Sequence, residues 1–315
     1  MQHLRTAPGG LRDDESLLQI LGYRPWVQLA LGVPLGLMAA SVAGVTQVGI
    51  AYGFQGAQSW NDALSTLWPG QPIGMALQVV AAIFVMWLVA TKIARRPVYE
   101  LERQGAVREL AYGGIIGAGI VTTTVLLLLA VGAYEITDVT VGRGLLIGLL
   151  LGLGSAFGEE IVMRGILLRV LIGKLGPAAA LAITSLMFGL LHLGNPHSSL
   201  LGAVGIALQA GLLFGAAYLL TRRLWWAIGI HAAWNFTQTA LFGLNVSGVP
   251  TEPGLLIARL EGPEWLSGGA VGIEGSVVTI ALGLIMSLVM LRAAIAKKQH
   301  ASSSQSRVSR PSAHG

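Results

Sequence analysis

The chain has 315 residues, of which 54% are apolar and only 11% are charged, and its mean hydropathy is strongly positive. This composition lies outside the range of soluble globular domains and indicates a membrane protein. The absence of cysteine excludes disulfides, thiolate metal ligands and a cysteine nucleophile. The net charge of +5 does not indicate nucleic acid binding, because the basic residues flank apolar segments, as the positive-inside rule describes.

Eight apolar segments are long enough, or nearly long enough, to cross a bilayer, which takes about 20 residues. They predict an all-α, polytopic transmembrane helical bundle with spans over residues 26–54, 75–93, 112–133, 145–175, 178–193, 200–220, 225–243 and 276–296. The fourth segment is longer than the hydrocarbon core requires. We expect this helix to be tilted, or to open near Gly152, Gly154 and Gly158.

The loop charges predict the orientation of these spans. If the spans alternate from a cytoplasmic N-terminus, the outer loops contain only Arg143 and Arg259. The inner side then collects the remaining loop cations, which are Lys92, Arg95, Arg96, Arg103, Arg108, Lys174, Arg222, Arg223, Lys297 and Lys298. This asymmetry predicts that both termini are cytoplasmic, and the basic inner loops favour a cytoplasmic opening for any site.

We divide the chain into six parts. Residues 1–25 lack the features of a secretory signal and are predicted to be a cytoplasmic N-terminal segment. Three N-terminal helices (26–140), core helices (141–245), an extracytoplasmic loop (246–275) and a last helix (276–298) follow. The Ser-rich residues 299–315 are predicted to be a disordered cytoplasmic tail. The composition, rich in Ala and Gly, favours the cell membrane of a bacterium, with the bilayer as a constant partner.

Ionisable residues inside the spans indicate where the chemistry lies. A charge at the bilayer centre costs about 2.5–3.5 kcal/mol on insertion scales, so it needs a partner and usually has a function. The fourth span contains Glu159, Glu160, Arg164 and Arg169, whereas His192 ends the fifth span and His231 lies in the seventh. We expect Arg169 to extend to the inner interface. The other ionisable residues define a candidate site.

Spacing along the helices refines this site, because residues four apart share a helix face. Glu160 and Arg164 are four apart and predict an ion pair, which is a structural interpretation in the first place. The same spacing joins His231 to Asn235 and Phe188 to His192. Glu159 points about 100° away from Glu160 and has no local partner, which suits a carboxylate to proton transfer. Either histidine could instead be a packing residue that only makes hydrogen bonds.

Three motifs contain these residues. Residues 159–164 match EExxxR, residues 188–192 match FxxxH and residues 231–235 match HxxxN. In this order, on separate apolar segments, they resemble the CAAX prenyl protease and bacteriocin-processing (CPBP, or Abi) family of intramembrane proteases. The resemblance covers about residues 145–243.

The resemblance implies that the chain hydrolyses a peptide bond inside the membrane. Glu159 would activate a water molecule as general base, assisted by His192, and His231 with Asn235 would stabilise the oxyanion. Glu160 and Arg164 would hold the fourth helix, with Phe188 as a further supporting motif residue. The expected partner is a membrane-associated peptide, such as a prenylated C-terminus or a bacteriocin leader.

The same residues are compatible with a mechanism that uses a metal cofactor and with one that does not. Members of the family are often described as metalloproteases, and Glu159, His192 and His231 could supply the two histidines and one glutamate that zinc accepts in hydrolases. The sequence has no HExxH motif, so it lacks the pair of zinc ligands that is usual in metalloproteases. We therefore favour a metal-free glutamate mechanism, with a divalent metal such as zinc as the alternative.

Two other functions compete with proteolysis. A proton-coupled transporter could use Glu159, His192 and His231 as a relay, and a catalytically idle relative could serve as a membrane scaffold or immunity protein. One geometric difficulty also arises. Helix rise puts Glu159 and His192 about 22–24 Å from the inner face but His231 only about 12 Å from it. We expect a turn through residues 193–196, or a deeper start of the seventh helix, to bring them together.

Overall fold

The computed structural model describes residues 24–308 except 60–61, 64–68 and 253. Over these residues the chain is mostly helical, which confirms the predicted all-α polytopic bundle. The helices are α1 (Pro25–Ala40), α2 (Val42–Phe54), α3 (Gly70–Leu88), α4 (Ala106–Ala130), α5 (Gly144–Glu160), α6 (Arg169–Leu191), α7 (Leu200–Ile206), α8 (Leu212–Thr221), α9 (Trp225–Phe236), α10 (Glu264–Ser267) and α11 (Val277–Val308). The predicted N-terminal segment lies almost entirely outside the described residues.

Several helices continue or begin as π-helical turns. These turns cover Val89–Ile93 after α3, Ile161–Leu168 between α5 and α6, Ala207–Gly211 between α7 and α8, and Thr237–Leu241 after α9. Short 3₁₀ turns cover Tyr99–Leu101, His192–Gly194, Gly269–Val271 and Ile273–Gly275. π-Helical turns often occur at functional sites. Two of those seen here are joined by a hydrogen bond, because Arg164 of the turn Ile161–Leu168 donates to the carbonyl of Gly211, which ends the turn Ala207–Gly211.

Among the described residues, six helical stretches are long and apolar enough to cross a membrane. One of them, Gly144–Gly194, is 51 residues long and combines the predicted fourth and fifth spans. Gly176, with φ 78°, breaks it immediately before Pro177, so the chain turns where the sequence predicted a loop. The predicted seventh span is only α9 plus a π-helical turn. The chain is thus a membrane protein, and the number of eight spans stays a prediction.

Glycines allow the central helices to approach closely. A Cβ atom on Gly152 of α5 would lie 2.6 Å from the Ala232 carbonyl oxygen of α9, and one on Gly117 of α4 would lie 2.2 Å from the Ile230 carbonyl oxygen. The expected opening of α5 near Gly152, Gly154 and Gly158 is not present, because the α-helix is continuous to Glu160. These glycines permit helix packing, and the irregular segment is the π-helix that follows.

A two-stranded antiparallel sheet lies at one end of the bundle, which we call the sheet end. Strand β1 (Tyr134–Val139) pairs with β2 (Leu256–Leu260), with an irregularity between Ile136 and Asp138. Both strands belong to loops that the sequence analysis predicted on the outer side. Their pairing links the third and seventh interhelical connections, which the hydropathy pattern alone did not predict.

The opposite end contains a buried ionic cluster. Glu100 accepts two hydrogen bonds from Arg96, at 2.8 and 3.0 Å, and lies 3.6 Å from Arg169. Arg169 also donates to the Gln28 side chain and to the Gly165 carbonyl. The expectation that Arg169 extends to the membrane interface is therefore wrong, because its side chain is buried and bonded inside the protein.

The last helix continues beyond the predicted span. Its backbone is helical to Val308, whereas the sequence analysis predicted a disordered tail from residue 299. Once a long helix is nucleated, each added residue gains a hydrogen bond without a new nucleus, so the polar residues after the membrane segment extend it. Residues 309–315 lie outside the described part of the chain.

Candidate active site

Two adjacent carboxylates end α5 and point in different directions. Glu160 is fully buried, whereas the Glu159 side chain is 33% exposed and lines a cavity of about 340 Å³. Successive helical residues are separated by about 100° around the axis, which explains the different surroundings. The prediction that these two residues have separate environments is in agreement with the structure.

Glu159 faces both histidines named by the motifs. Its Oε2 atom lies 4.0 Å from Nε2 of His192 and 4.0 Å from Nε2 of His231. Among the described residues, this buried oxygen has no hydrogen-bond partner. The separations are too long for direct hydrogen bonds but allow one water molecule at about 2.8 Å from the carboxylate and from an imidazole. The depth mismatch expected from helix rise is therefore absent.

His192 is held by its own helix. Helix α6 ends at Leu191, and a 3₁₀ turn over His192–Gly194 begins the connection to α7. The Nδ1 atom of His192 lies 2.6 Å from the Phe188 carbonyl oxygen, and the two rings are in edge contact at 4.8 Å. Since a carbonyl only accepts, Nδ1 is the donor in this bond, and Nε2 of the neutral ring presents a lone pair to the cavity.

His231 is held by a long-range pair that the sequence did not predict. Its Nδ1 atom lies 2.9 Å from Oε1 of Glu160, which also accepts a hydrogen bond from Arg164 at 2.9 Å. The imidazole stacks on Phe214 with ring centroids 4.8 Å apart. Glu160 thus has two roles, because it neutralises Arg164 and fixes the ring orientation of His231.

Arg164 is the centre of this supporting structure. Its guanidinium is 1% exposed, donates to the Gly211 carbonyl at 3.0 Å and lies over the rings of Phe188 and Phe214, at 4.5 and 5.2 Å. Gly211 ends the π-helical turn between α7 and α8. One buried cation therefore joins segments from three parts of the chain, and Phe188 supports it through cation–π contact.

Asn235 is oriented by Ser155, a residue that the sequence analysis did not single out. The Ser155 hydroxyl lies 2.8 Å from the Leu151 carbonyl, to which it donates, and 2.8 Å from Nδ2 of Asn235. Because the hydroxyl donates its only proton to the Leu151 carbonyl, it acts as the acceptor in the hydrogen bond with Asn235. One Nδ2 hydrogen is engaged in this way and the other remains for a ligand. Ser155 lies four residues before Glu159, a spacing that could have identified it.

The geometry does not match a metal site. The described residues contain no group of three or more His, Asp or Glu side chains placed to hold a metal ion. In a tetrahedral zinc site with ligand bonds of about 2.0–2.2 Å, neighbouring donor atoms lie about 3.4 Å apart. The 4.0 Å separations from Glu159 to both imidazoles exceed that value. Glu159, His192 and His231 therefore do not fit a shared zinc ion.

The cavity reaches the sheet end of the molecule. Besides the motif residues, its wall includes Asn195, Val246, Ser247 and Val249, which belong to the connections after α6 and α9. The basic loops lie at the other end, where the Arg223 side chain donates to backbone carbonyls of residues 102 and 104. The cavity therefore lies towards the end of the molecule that is opposite to the basic loops. This position does not support the expected cytoplasmic opening.

Glu274 supports the cavity wall and was also missed. It is 3% exposed and accepts hydrogen bonds from Gln238 at 2.7 Å and from the Ser247 amide and hydroxyl at 3.1 Å. Burial raises the pKa of its carboxyl, and the donors partly offset this shift. Ser247, with φ 50°, also accepts a hydrogen bond from the Asn195 side chain. Glu274 thus fixes the left-handed turn that lines the cavity.

A second, small cavity lies between Glu274 and the motif residues. Its volume is about 20 Å³, which is enough for one water molecule, and its wall includes His192, His231, Asn235, Ser247 and Glu274. No single-sequence pattern joins Glu274 to the motifs, because it lies in the connection before α11, outside every predicted span and motif.

One family model matches the segment of the chain that contains the three motifs. Residues 141–237 match the family model described as type II CAAX prenyl endopeptidase Rce1-like, and this segment includes all three motifs. Within these residues the chain is similar to intramembrane proteases of CAAX type. This match agrees with the resemblance to the CAAX prenyl protease and bacteriocin-processing family that the motifs predicted for these residues. No curated protein and no solved structure matches the chain.

Proposed function

We propose that the protein is an intramembrane endopeptidase in which Glu159 activates a water molecule for attack on a peptide bond. The observation that carries this proposal is the Glu159 side chain, which lines a cavity of about 340 Å³. Its Oε2 atom lies 4.0 Å from two imidazole nitrogens and has no hydrogen-bond partner among the described residues. The substrate is a membrane-associated segment, either a prenylated C-terminal peptide or a leader peptide. The location is a cell membrane, most simply the inner membrane of a bacterium.

The hydrolysis proceeds in two proton transfers. Glu159 takes a proton from the water as the water oxygen bonds to the scissile carbonyl carbon, and His192 orients this water through its Nε2 lone pair. The carbonyl oxygen becomes an oxyanion. Glu159 then returns the proton to the amide nitrogen as the C–N bond breaks and the carbonyl re-forms, which releases a carboxylic acid and an amine. The acid then loses its proton, which the amine takes up.

The oxyanion is stabilised by Asn235 and His231. Asn235 lines the cavity, and because one of its two Nδ2 hydrogens is bonded to Ser155, the other is available to the oxyanion. His231 donates from Nε2 when the ring carries both protons, since Nδ1 is directed at Glu160. Glu160 is the counter-ion that such a charged ring requires. Both donors are preorganised by buried partners, which is the main source of transition-state stabilisation in this kind of site.

The test is proteolysis of a panel of membrane-anchored and prenylated peptides by the purified protein, with the Glu159→Ala variant as control. Cleavage by the wild type and none by the variant would support the protease, and the product masses would give the cleaved bond. Activity that a chelator removes and zinc restores would contradict the metal-free mechanism. Proton-linked uptake in liposomes that needs Glu159, without any cleavage, would favour the transporter instead.

Replacing Asn235 tests the oxyanion site. We expect Asn235→Ala to lower kcat by about 10²–10³, the usual effect of losing one oxyanion donor, with a smaller change in KM. The measurement is the rate at saturating peptide, with thermal unfolding recorded alongside. A loss below tenfold would contradict the assignment and identify His231 as the dominant donor.

A further inference from the structure

The N-terminal helices form one wall of the cavity. Four lining residues, Leu37, Ala40, Gln71 and Met75, come from α1 and α3, which lie outside the segment that matches the family model. Three of these side chains are apolar. Gln71 is the polar one, and it is placed away from the motif residues, so this wall contains a feature that the proposed reaction does not use.

Gln71 is buried without a partner for its carbonyl oxygen. The side chain lies in the first turn of α3 and is 9% exposed, and Oε1 makes no hydrogen bond within the described part of the chain. Gln78 lies two turns further on the same helix and provides a comparison. It is 4% exposed, and its Nε2 donates to the Gly154 carbonyl at 2.8 Å. The Gln71 side chain lines the cavity, so a bound ligand can supply the hydrogen-bond donor that its buried amide oxygen lacks.

The packing of α3 on α5 gives the position of Gln71 along the cavity. Met75 contacts the Gly154 position and Gln78 contacts the Gly158 position, so the two helices run side by side in the same direction. Gln71 is one turn before Met75 and is therefore level with Leu151, another lining residue. From Leu151 to Glu159 the helix rises about 12 Å, which corresponds to about three or four residues of an extended peptide.

We propose that Gln71 determines specificity by accepting a main-chain N–H from the bound peptide, three or four residues from the scissile bond. This assignment rests on the proposed peptidase function and deepens it. An isoprenoid chain has no hydrogen-bond donor, so the region next to Gln71 takes peptide and excludes the lipid part of a substrate. The N-terminal helices thus contribute to substrate choice and not only to membrane anchoring.

The test compares Gln71→Met with Gln78→Met. Methionine keeps the length of the side chain and removes the amide. Gln71→Met should lower kcat/KM for the peptide about tenfold, through KM, while kcat stays within about twofold and the melting temperature does not fall. Gln78→Met should lower the melting temperature and leave KM unchanged. An equal fall in melting temperature for both variants would overturn the proposal, because Gln71 would then have a partner inside the protein.

A series of peptides, each N-methylated at one residue, identifies the donor. Methylation at a single position should weaken wild-type cleavage about tenfold and have no further effect on Gln71→Met. Equal sensitivity of both proteins at every position would overturn the assignment. If the wild type cleaves no peptide, the proposed function fails. The role of Gln71 is then tested separately by measuring the binding of a fluorescent peptide to the wild type and to Gln71→Met. Binding that Gln71→Met weakens supports the residue, and unchanged or absent binding overturns it.

Discussion

Replacing Glu159 with glutamine is expected to abolish measurable proteolysis without destabilising the protein. The general base contributes about 10²–10⁴ to the rate in enzymes of this kind, and a neutral amide cannot take the proton from water. The side chain is one-third exposed, and its Oε2 makes no hydrogen bond with the part of the chain that the structure describes. Its loss therefore leaves no buried partner unsatisfied. The measurements are kcat with a cleavable peptide and the melting temperature of the purified variant.

The matched control for this variant is Glu252→Gln. Glu252 is also a partly exposed glutamate, but it pairs with Arg143 at the sheet end and does not line the cavity. We expect wild-type turnover from this control, since a surface ion pair contributes little to stability. A Glu159→Gln protein that keeps more than one-tenth of the wild-type kcat would exclude Glu159 as the general base. His192→Ala should lose turnover in the same way if His192 orients the water.

The energetic cost of charge in a membrane explains why the candidate site could be predicted from the sequence. Glu159, His192 and His231 are separated in the sequence, yet each is expensive in an apolar span. That expense depends only on residue type and hydropathy, so it is visible without a structure. The same reasoning gave the i,i+4 pair of Glu160 and Arg164, which is local by nature.

The partners that orient these residues could not be predicted in the same way. The bond between Glu160 and His231 joins residues that are 71 apart, and the one between Asn235 and Ser155 joins residues that are 80 apart. Such pairs depend on how α5 and α9 pack, which requires the close approach at Gly152. Hydropathy predicts that both helices exist but gives neither their rotation nor their contact.

The structure of the loops at the sheet end could not be predicted from the sequence either. Strands β1 and β2 are short and belong to connections far apart in the chain, so no local periodicity links them. Glu274 and Ser247 support the cavity from the same region. The sequence predicts only that these two residues lie in a connection outside the spans. The contribution of the sheet end to the site therefore becomes visible only in three dimensions.

Replacing Arg164 with alanine is expected to reduce the free energy of unfolding by about 3–5 kcal/mol, because it leaves Glu160 as an uncompensated buried charge. The guanidinium is 1% exposed and Glu160 is fully buried. Activity should also fall, since Glu160 orients His231. The measurement is denaturant or thermal unfolding in detergent, together with kcat. Arg143→Ala is the control, because Arg143 is an exposed partner of Glu252 and should lower stability by less than about 1 kcal/mol.

A double variant separates the two roles of this pair. In Arg164→Met with Glu160→Gln both charges are absent, so most of the lost stability should return, because replacing a buried ion pair by neutral groups is often tolerated. Activity should stay low, since the counter-ion of His231 is missing. Wild-type stability in the single Arg164→Ala variant, with activity lost, would contradict a structural role and make Arg164 part of the reaction itself. Recovery of both stability and activity in the double variant would instead show that His231 needs only a hydrogen-bond acceptor at Nδ1 and not a negative charge.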